Sequence, residues 1–245
     1  MANLIAAMLK PKPPLLGWFG KLPRLGDFAG KALPLALRNQ IHSWCAQGME
    51  GLTQSQGEAW KAAYQLAPVW HFAMNAHIWD SRPLIGCLAP SMDRIGRYSP
   101  LLVLRSIEAP LIKEYQYLLS CSYWLQRVEN LLRQVIRGEL GMEAIQNELE
   151  VALRAQNSGQ RKSNSTGDIL AELDIARETD TNRFSWPDLP ERFKEGKKHS
   201  FWWTEPSPGR PPQQVIHHGA PDENLFALLM VGWACGQPFS GKISP

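Results

Sequence analysis

Charge is scarce in this sequence. Charged residues make up 20% of its 245 residues and the formal net charge is only +3. A usual domain has ~25% charged residues. No stretch interleaves Lys and Arg with aromatic residues in the way a strand-binding groove requires, so nothing points to nucleic acid. Cysteine is scarce too: Cys45, Cys87, Cys121 and Cys235 stand far apart, without a CxxC pair or a Cys/His cluster. Zinc sites need ligands in close pairs, so no metal is expected. Each cysteine lies in an apolar run, the habit of a small core hydrophobe in a reduced compartment. No apolar run reaches the ~18 residues of a membrane span. Met1–Leu9 is apolar but lacks a basic leader and is broken by Pro11, Pro13 and Pro14. Residues 1–14 therefore read as a flexible tail or a short docking helix, and the expected location is the cytoplasm. There are no internal repeats.

What the chain does have is apolar bulk, at 44% hydrophobic residues, which excludes disorder as a whole. Its ten tryptophans are twice its five tyrosines. The 19 glycines and 19 prolines mark many turns.

Short apolar runs predict strands at Leu15–Lys21, Val69–Met74, Leu84–Ala89 and Leu101–Ser106, with a strand pair at Ser200–Thr204 and Gln214–His218. Leu22–Lys31 reads as a Pro/Gly loop. Leu37, Ile41, Trp44, Cys45 and Gly48 recur on one helical face after Pro34. Gly51 and Gly57 are read as breaks, with a second helix over Gln56–Leu66. Leu111, Leu118, Leu125 and Leu132 are spaced by seven, as are Cys121, Val128 and Val135, which gives one apolar seam along a long helix. A coiled coil would use such a seam, but burial on the domain's own sheet is the commoner outcome and is the reading adopted. Trp124 falls beside the seam. Helices also fit Met142–Arg154, Asp168–Arg177 and Asn224–Val231, the last with Pro221–Asp222 as its start signal. Residues 155–167 read as a polar linker inside a single domain over 15–240. Thr179–Gly196 reads as irregular. Mixed strands and helices on this length indicate a layered α/β or α+β domain.

Few residues look chemical. Gly17-Trp-Phe-Gly-Lys21 has the wrong spacing for a phosphate loop and lacks the following Ser or Thr. Asp27, in Gly26-Asp27-Phe28, could bind a cation or an arginine, or simply bond nearby backbone N–H groups. The densest polar cluster is Asp93, Arg94 and Arg97, set between two predicted buried strands. Buried charges there must be paired. One arginine is expected to bond Asp93 and the other to be free for a carboxylate or phosphate; a purely structural ion-pair network is the alternative. His71 alternates with Trp70 and Phe72, which places it on an exposed strand face. His217 and His218, like Trp202 and Trp203, should point to opposite faces. One of those two indoles would be core and the other an exposed interface anchor.

Five blocks together resemble one family. They are Gly17-Trp-Phe-Gly-Lys-Leu-Pro23, Gly26-Asp27-Phe28, Ala67-Pro-Val-Trp70-His-Phe72, Pro90-Ser-Met-Asp-Arg-Ile-Gly-Arg-Tyr98 with Pro100-Leu101, and Ser200-Phe-Trp-Trp-Thr204. This ordered set resembles the TagF (ImpM) family of bacterial type VI secretion systems. The sequence departs from that pattern at Ile41-His42, where the family has Trp-Asp, and at Ser99, where it has an aromatic residue. The resemblance implies a three-layer α/β sandwich with a mixed central sheet and helices on both faces. It also implies a non-enzymatic post-translational repressor that binds the forkhead-associated (Fha) scaffold protein, in parallel with a threonine kinase and phosphatase pathway, without a cofactor.

Two classes of function follow. An interaction protein would present Asp27, Asp93, Arg94, Arg97, Trp202 and Trp203 to a protein partner. An enzyme or anion-binding protein would use the same Asp–Arg–Arg cluster. A deep pocket with Asp27 and Arg97 converging on it would favour the second, and a filled cluster without a cleft would favour the first.

Overall fold

The computed structural model describes residues 14–108, 115–163, 186, 188–193, 197–206, 210–232 and 242–243. The apolar runs become β1 (Leu16–Lys21), β3 (Trp70–Met74), β4 (Leu84–Ala89) and β5 (Leu101–Ser106), and the C-terminal pair becomes β6 (His199–Trp203) and β7 (Gln214–His218). Two short strands complete the sheet, β2 (Phe28–Lys31) and β8 (Lys242–Ile243). The order is β2-β1-β5-β4-β3-β6-β7-β8. Neighbours are antiparallel except β7 and β8, so the sheet is mixed only at one two-residue edge.

Helices α1 (Leu35–Gln56), α2 (Trp60–Gln65), α3 (Tyr115–Ile136), α4 (Met142–Ser163), α5 (Leu189–Arg192) and α6 (Glu223–Val231) accompany it. The core divides by strand parity, because successive side chains point to opposite sides of a strand. Trp18, Ala73, Cys87, Val103, Phe201 and Trp203 join the seam of α3 and Ile145 and Leu149 of α4. Phe72, Leu88, Leu102 and Trp202 join residues of α1, α2 and α6. Strands β3, β4 and β5 are buried at every residue, which is why they read as unbroken apolar runs.

The heptad seam is spent on this core. Leu118, Cys121, Leu125, Val128, Leu132 and Val135 are all buried. Trp124 is fully buried as well, so the face is wider than the seam. Helix α1 buries Leu37, Ile41, Trp44, Cys45 and Gly48 as the spacing predicts, and Leu52 besides. Asp222 caps α6, its Oδ1 accepting from the Leu225 N–H at 2.8 Å.

Three expectations need correction. Leu22–Lys31 is not all loop, since Phe28–Lys31 pairs with β1. Four residues are too few to show a period, and the strand is fixed by pairing and by Phe19 stacking on Phe28 at 5.5 Å. Gly51 does not break α1; the helix runs on to Gln56 and stops at Gly57, whose φ is +60°. The polar stretch from residue 155 is helical as far as Ser163. Its composition permits a helix, and buried Gln156 anchors that end. Residues 1–13, Leu111, the predicted helix Asp168–Arg177, most of Thr179–Gly196 and Cys235 lie outside the described residues.

Candidate functional site

The polar cluster assembles at the connection between β4 and β5, against the end of β1. Met92 and Tyr98 form an isolated antiparallel bridge, and the five residues between them fold into a tight turn. The Asp93 N–H donates to the Arg97 carbonyl at 3.0 Å, and the Gly96 N–H to the Asp93 carbonyl at 3.0 Å. Gly96 takes a φ of +84°, a conformation that favours glycine.

Asp93 fastens the turn from inside. Its Oδ1 accepts from the Ile95 N–H at 3.1 Å and the Arg97 N–H at 2.9 Å. Its Oδ2 meets Arg97 Nε at 2.7 Å and Lys21 Nζ at 3.1 Å. The carboxylate is fully buried, so both charges around it matter. Burial alone would raise the Asp93 carboxyl pKa. The backbone N–H of Arg97, its guanidinium and the Lys21 ammonium outweigh that and hold it well below the usual carboxylate range.

The sequence-predicted residues therefore take different roles. Arg97 is the arginine that bonds Asp93, and its Nη2 also donates to the Gly26 carbonyl. Arg94 is exposed; its N–H donates to the Leu25 carbonyl at 2.8 Å, which leans the turn on the Gly26 loop. Asp27 is exposed and its Oδ1 accepts from the Phe28 N–H at 2.8 Å, a local backbone contact. It shares the loop with Gly26 but not the ion-pair network. Lys21 belongs to the cluster and sequence reasoning passed over it. The available signal was a lysine closing an apolar strand, where an ammonium requires a counter-charge. Lys21 also lies over the Phe28 ring at 5.1 Å.

Neither Trp202 nor Trp203 is an exposed anchor. They do point to opposite sides, but both are fully buried, one in each core cluster. Alternation sets which side each indole faces, and helix residues cover both sides.

His71 is likewise not on an exposed face; it is fully buried. Its Nε2 lies 2.8 Å from Glu129 Oε2 on α3, and its Nδ1 lies 3.4 Å from Glu205 Oε1. Glu129 also accepts from Arg133 at 2.6 Å. Burial would depress the imidazole pKa, but the Cys87 sulfur and the two carboxylates raise it well above its ordinary value. Burial would raise Glu129, yet His71 and Arg133 bring it below its ordinary value. The two carboxylates face opposite ring nitrogens, Glu129 at hydrogen-bond distance and Glu205 at ion-pair distance, an arrangement that favours the charged ring and does not converge on one metal. Among the described residues no group of three or more His, Cys, Asp or Glu could hold a metal ion.

Cys45, Cys87 and Cys121 are buried free thiols, as their apolar surroundings predict. Burial pushes the Cys45 thiol up to about 12. His217 is buried and His218 exposed, in keeping with opposite faces. A cavity of about 230 Å³ opens between α3 and α4, lined by Arg127, Val128, Leu131, Glu148 and Ala152 among others. None of the sequence-predicted site residues lines it. Among the described residues, no helix is long and apolar enough to cross a membrane.

A search of curated proteins finds no match. The chain is similar in structure to PA0076 from Pseudomonas aeruginosa PAO1, with a TM-score of 0.64 at 21% identity, covering 94% of this chain and 97% of that one. At that identity the likeness speaks to the fold. The family model for the TagF N-terminal domain, type VI secretion system-associated, matches residues 17–152. That match spans β1 to α4, includes the Lys21–Asp93–Arg97 cluster and covers more than half of the sequence, and on it this chain belongs to the TagF family of type VI secretion-associated proteins.

Proposed function

We propose that this protein is a cytoplasmic, non-enzymatic regulator of type VI secretion that represses the system post-translationally by binding its Fha scaffold. Family membership supports the link to type VI secretion. We read the two core clusters as the two sides of a three-layer sandwich, which leaves loops and sheet ends for a partner.

The observation that carries the binding reading over the anion-enzyme reading is the state of Asp93. Four donors occupy its two oxygens, two on each. A general base or a ligand-binding carboxylate needs a free acceptor position, and this one has spent them on the turn. Asp27 and Arg97 also do not converge: one bonds its neighbour's backbone and the other bonds Asp93 and Gly26.

The test is a calorimetric titration of the full chain with the purified Fha scaffold of the same secretion system. A saturable complex is the expected result. No complex at protein concentrations of tens of micromolar, with both proteins folded, would remove the reading.

A further inference from the structure

We propose that the turn Asp93–Arg97 is a pre-organised docking tip for an acidic segment of a partner protein that carries an apolar side chain, with Ile95 as its apolar anchor and Arg94 and Arg97 as its charge contacts. The inference rests on the reading that this chain acts by binding a protein, and adds the surface and the chemistry of what it binds.

Ile95 is 65% exposed at the apex of the turn. Single exposed aliphatic residues are ordinary on protein surfaces. This one differs in how it is held. The buried Asp93 carboxylate binds its N–H and that of Arg97, and Lys21 and Arg97 in turn fix the carboxylate. A loop normally loses conformational entropy when a partner captures it. Here that ordering has already occurred, so the contact of an apex side chain is retained as affinity.

The surroundings select the partner's charge. Lys21 and Asp93 are buried together and face inward. Of the outward groups, Arg94 is exposed, and Arg97 keeps half of its side chain accessible. A Cβ built on Gly26 would lie 3.8 Å from Arg94 Nη2, so both guanidiniums straddle the same loop residue. A planar guanidinium such as that of Arg94 suits a carboxylate, which it grips with two parallel hydrogen bonds, while Arg97, whose Nε and Nη2 already donate to Asp93 and Gly26, adds its charge. Asp27 is the opposing charge on that loop and is exposed. Beside the turn, the Tyr98 hydroxyl accepts from Gln65 Nε2 at 2.7 Å, and Leu66, next in the chain to Gln65, is 59% exposed. An apolar side chain between carboxylates fits this arrangement, and a basic segment is repelled by it.

The experiment uses the full chain and two probes. The first is the purified Fha scaffold. If it binds the wild type, Arg94→Glu and Ile95→Asp should each weaken the complex at least tenfold. Asp27→Asn should tighten it a few-fold, because it removes the repelling charge. These substitutions lie on exposed positions, and an unchanged tryptophan emission spectrum checks the fold. Wild-type affinity in both Arg94→Glu and Ile95→Asp overturns the docking tip while leaving the scaffold reading intact. If the scaffold does not bind the wild type, the scaffold reading fails and the second probe decides. This is a fluorescent peptide alternating glutamate and leucine, compared with its glutamine counterpart by anisotropy. Preference for the glutamate peptide that is lost in Arg94→Glu and on raising the salt supports the tip. Equal binding of the two peptides, or binding of neither, overturns it.

Discussion

His71 Nε2 lies 2.8 Å from Glu129 Oε2, and through this pair the middle of the sheet is tied to the middle of α3. The imidazole is fully buried, while the carboxylate retains a small opening to solvent where Arg133 meets it. A buried charge left without its partner is costly.

Glu129→Gln is therefore expected to lower stability by about 3 kcal/mol near pH 6, the low end for breaking a buried pair. The sign with pH follows from the shifts. The His71 pKa is raised on folding, so its contribution is complete below ~6.5 and is lost as pH rises through the higher folded-state value. Urea unfolding of the wild type and Glu129→Gln at pH 6 and pH 9 reads this directly. The gap between them should narrow at pH 9. An equal gap together with a wild-type stability that does not fall between pH 6 and pH 9 would show that His71 is neutral in the folded protein.

Asp93→Asn addresses the turn. Asparagine can keep one acceptor oxygen but not the charge that balances buried Lys21. A loss of about 3 kcal/mol is expected. Faster hydrogen exchange at the N–H groups of Ile95 and Arg97 should accompany it. The Asp93 pKa is lowered on folding, so its contribution is present above ~3.9 and lost as pH falls through the lower folded-state value. Acid unfolding of the wild type should thus be steeper than that of Asp93→Asn. Matching acid profiles would count against the pairing.

What the sequence shows of this fold depends on how each signal arises. The seam of α3 and the face of α1 were legible because helical periodicity records one buried side over many residues. Strands β3, β4 and β5 were legible as apolar runs for the opposite reason: they are buried on every residue and have no period at all. That same fact misled the reading of His71 and of the Trp202–Trp203 pair, one of which was expected to be exposed. Alternation tells which side chains share a side, not whether that side meets water. For β2 there was too little chain to carry a pattern. At the site, spacing brought Asp93 and Arg97 together because they lie within one turn. Lys21 is 72 residues away from Asp93, and only the pairing of β1 with β5 puts it there.

Gly48 marks a close approach of α1 to α6. A Cβ built there would lie 2.2 Å from Phe226 Cγ. Alanine is the better helix former by about 1 kcal/mol. Overpacking costs roughly 1–3 kcal/mol, and Phe226 is fully buried with Trp44 against it at 5.5 Å. Gly48→Ala should therefore be net destabilising in thermal or urea unfolding. A stabilised variant would mean that Phe226 can move aside.

Arg105 poses the opposite question, that of a buried charge lacking an acid. It is 5% exposed, and among the described residues no carboxylate pairs with it. Its Nη2 donates to Gln156 Oε1 at 2.9 Å and approaches Cys121 Sγ at 3.1 Å, and its guanidinium lies 4.8 Å from the Trp124 ring centre. A planar, weakly hydrated guanidinium tolerates such a site by stacking and hydrogen bonding; a compact ammonium does not. Arg105→Lys keeps the charge and loses the stacking, so it leaves a strongly hydrated ion in the core. Arg105→Met removes the charge and fills similar volume, at the cost of leaving the Gln156 oxygen without its donor, about 1–3 kcal/mol. The methionine variant should thus unfold at higher urea than the lysine variant, reversing the order that charge conservation suggests. Should lysine prove the milder change, the charge itself is what this core requires, and an acid partner for Arg105 must be sought.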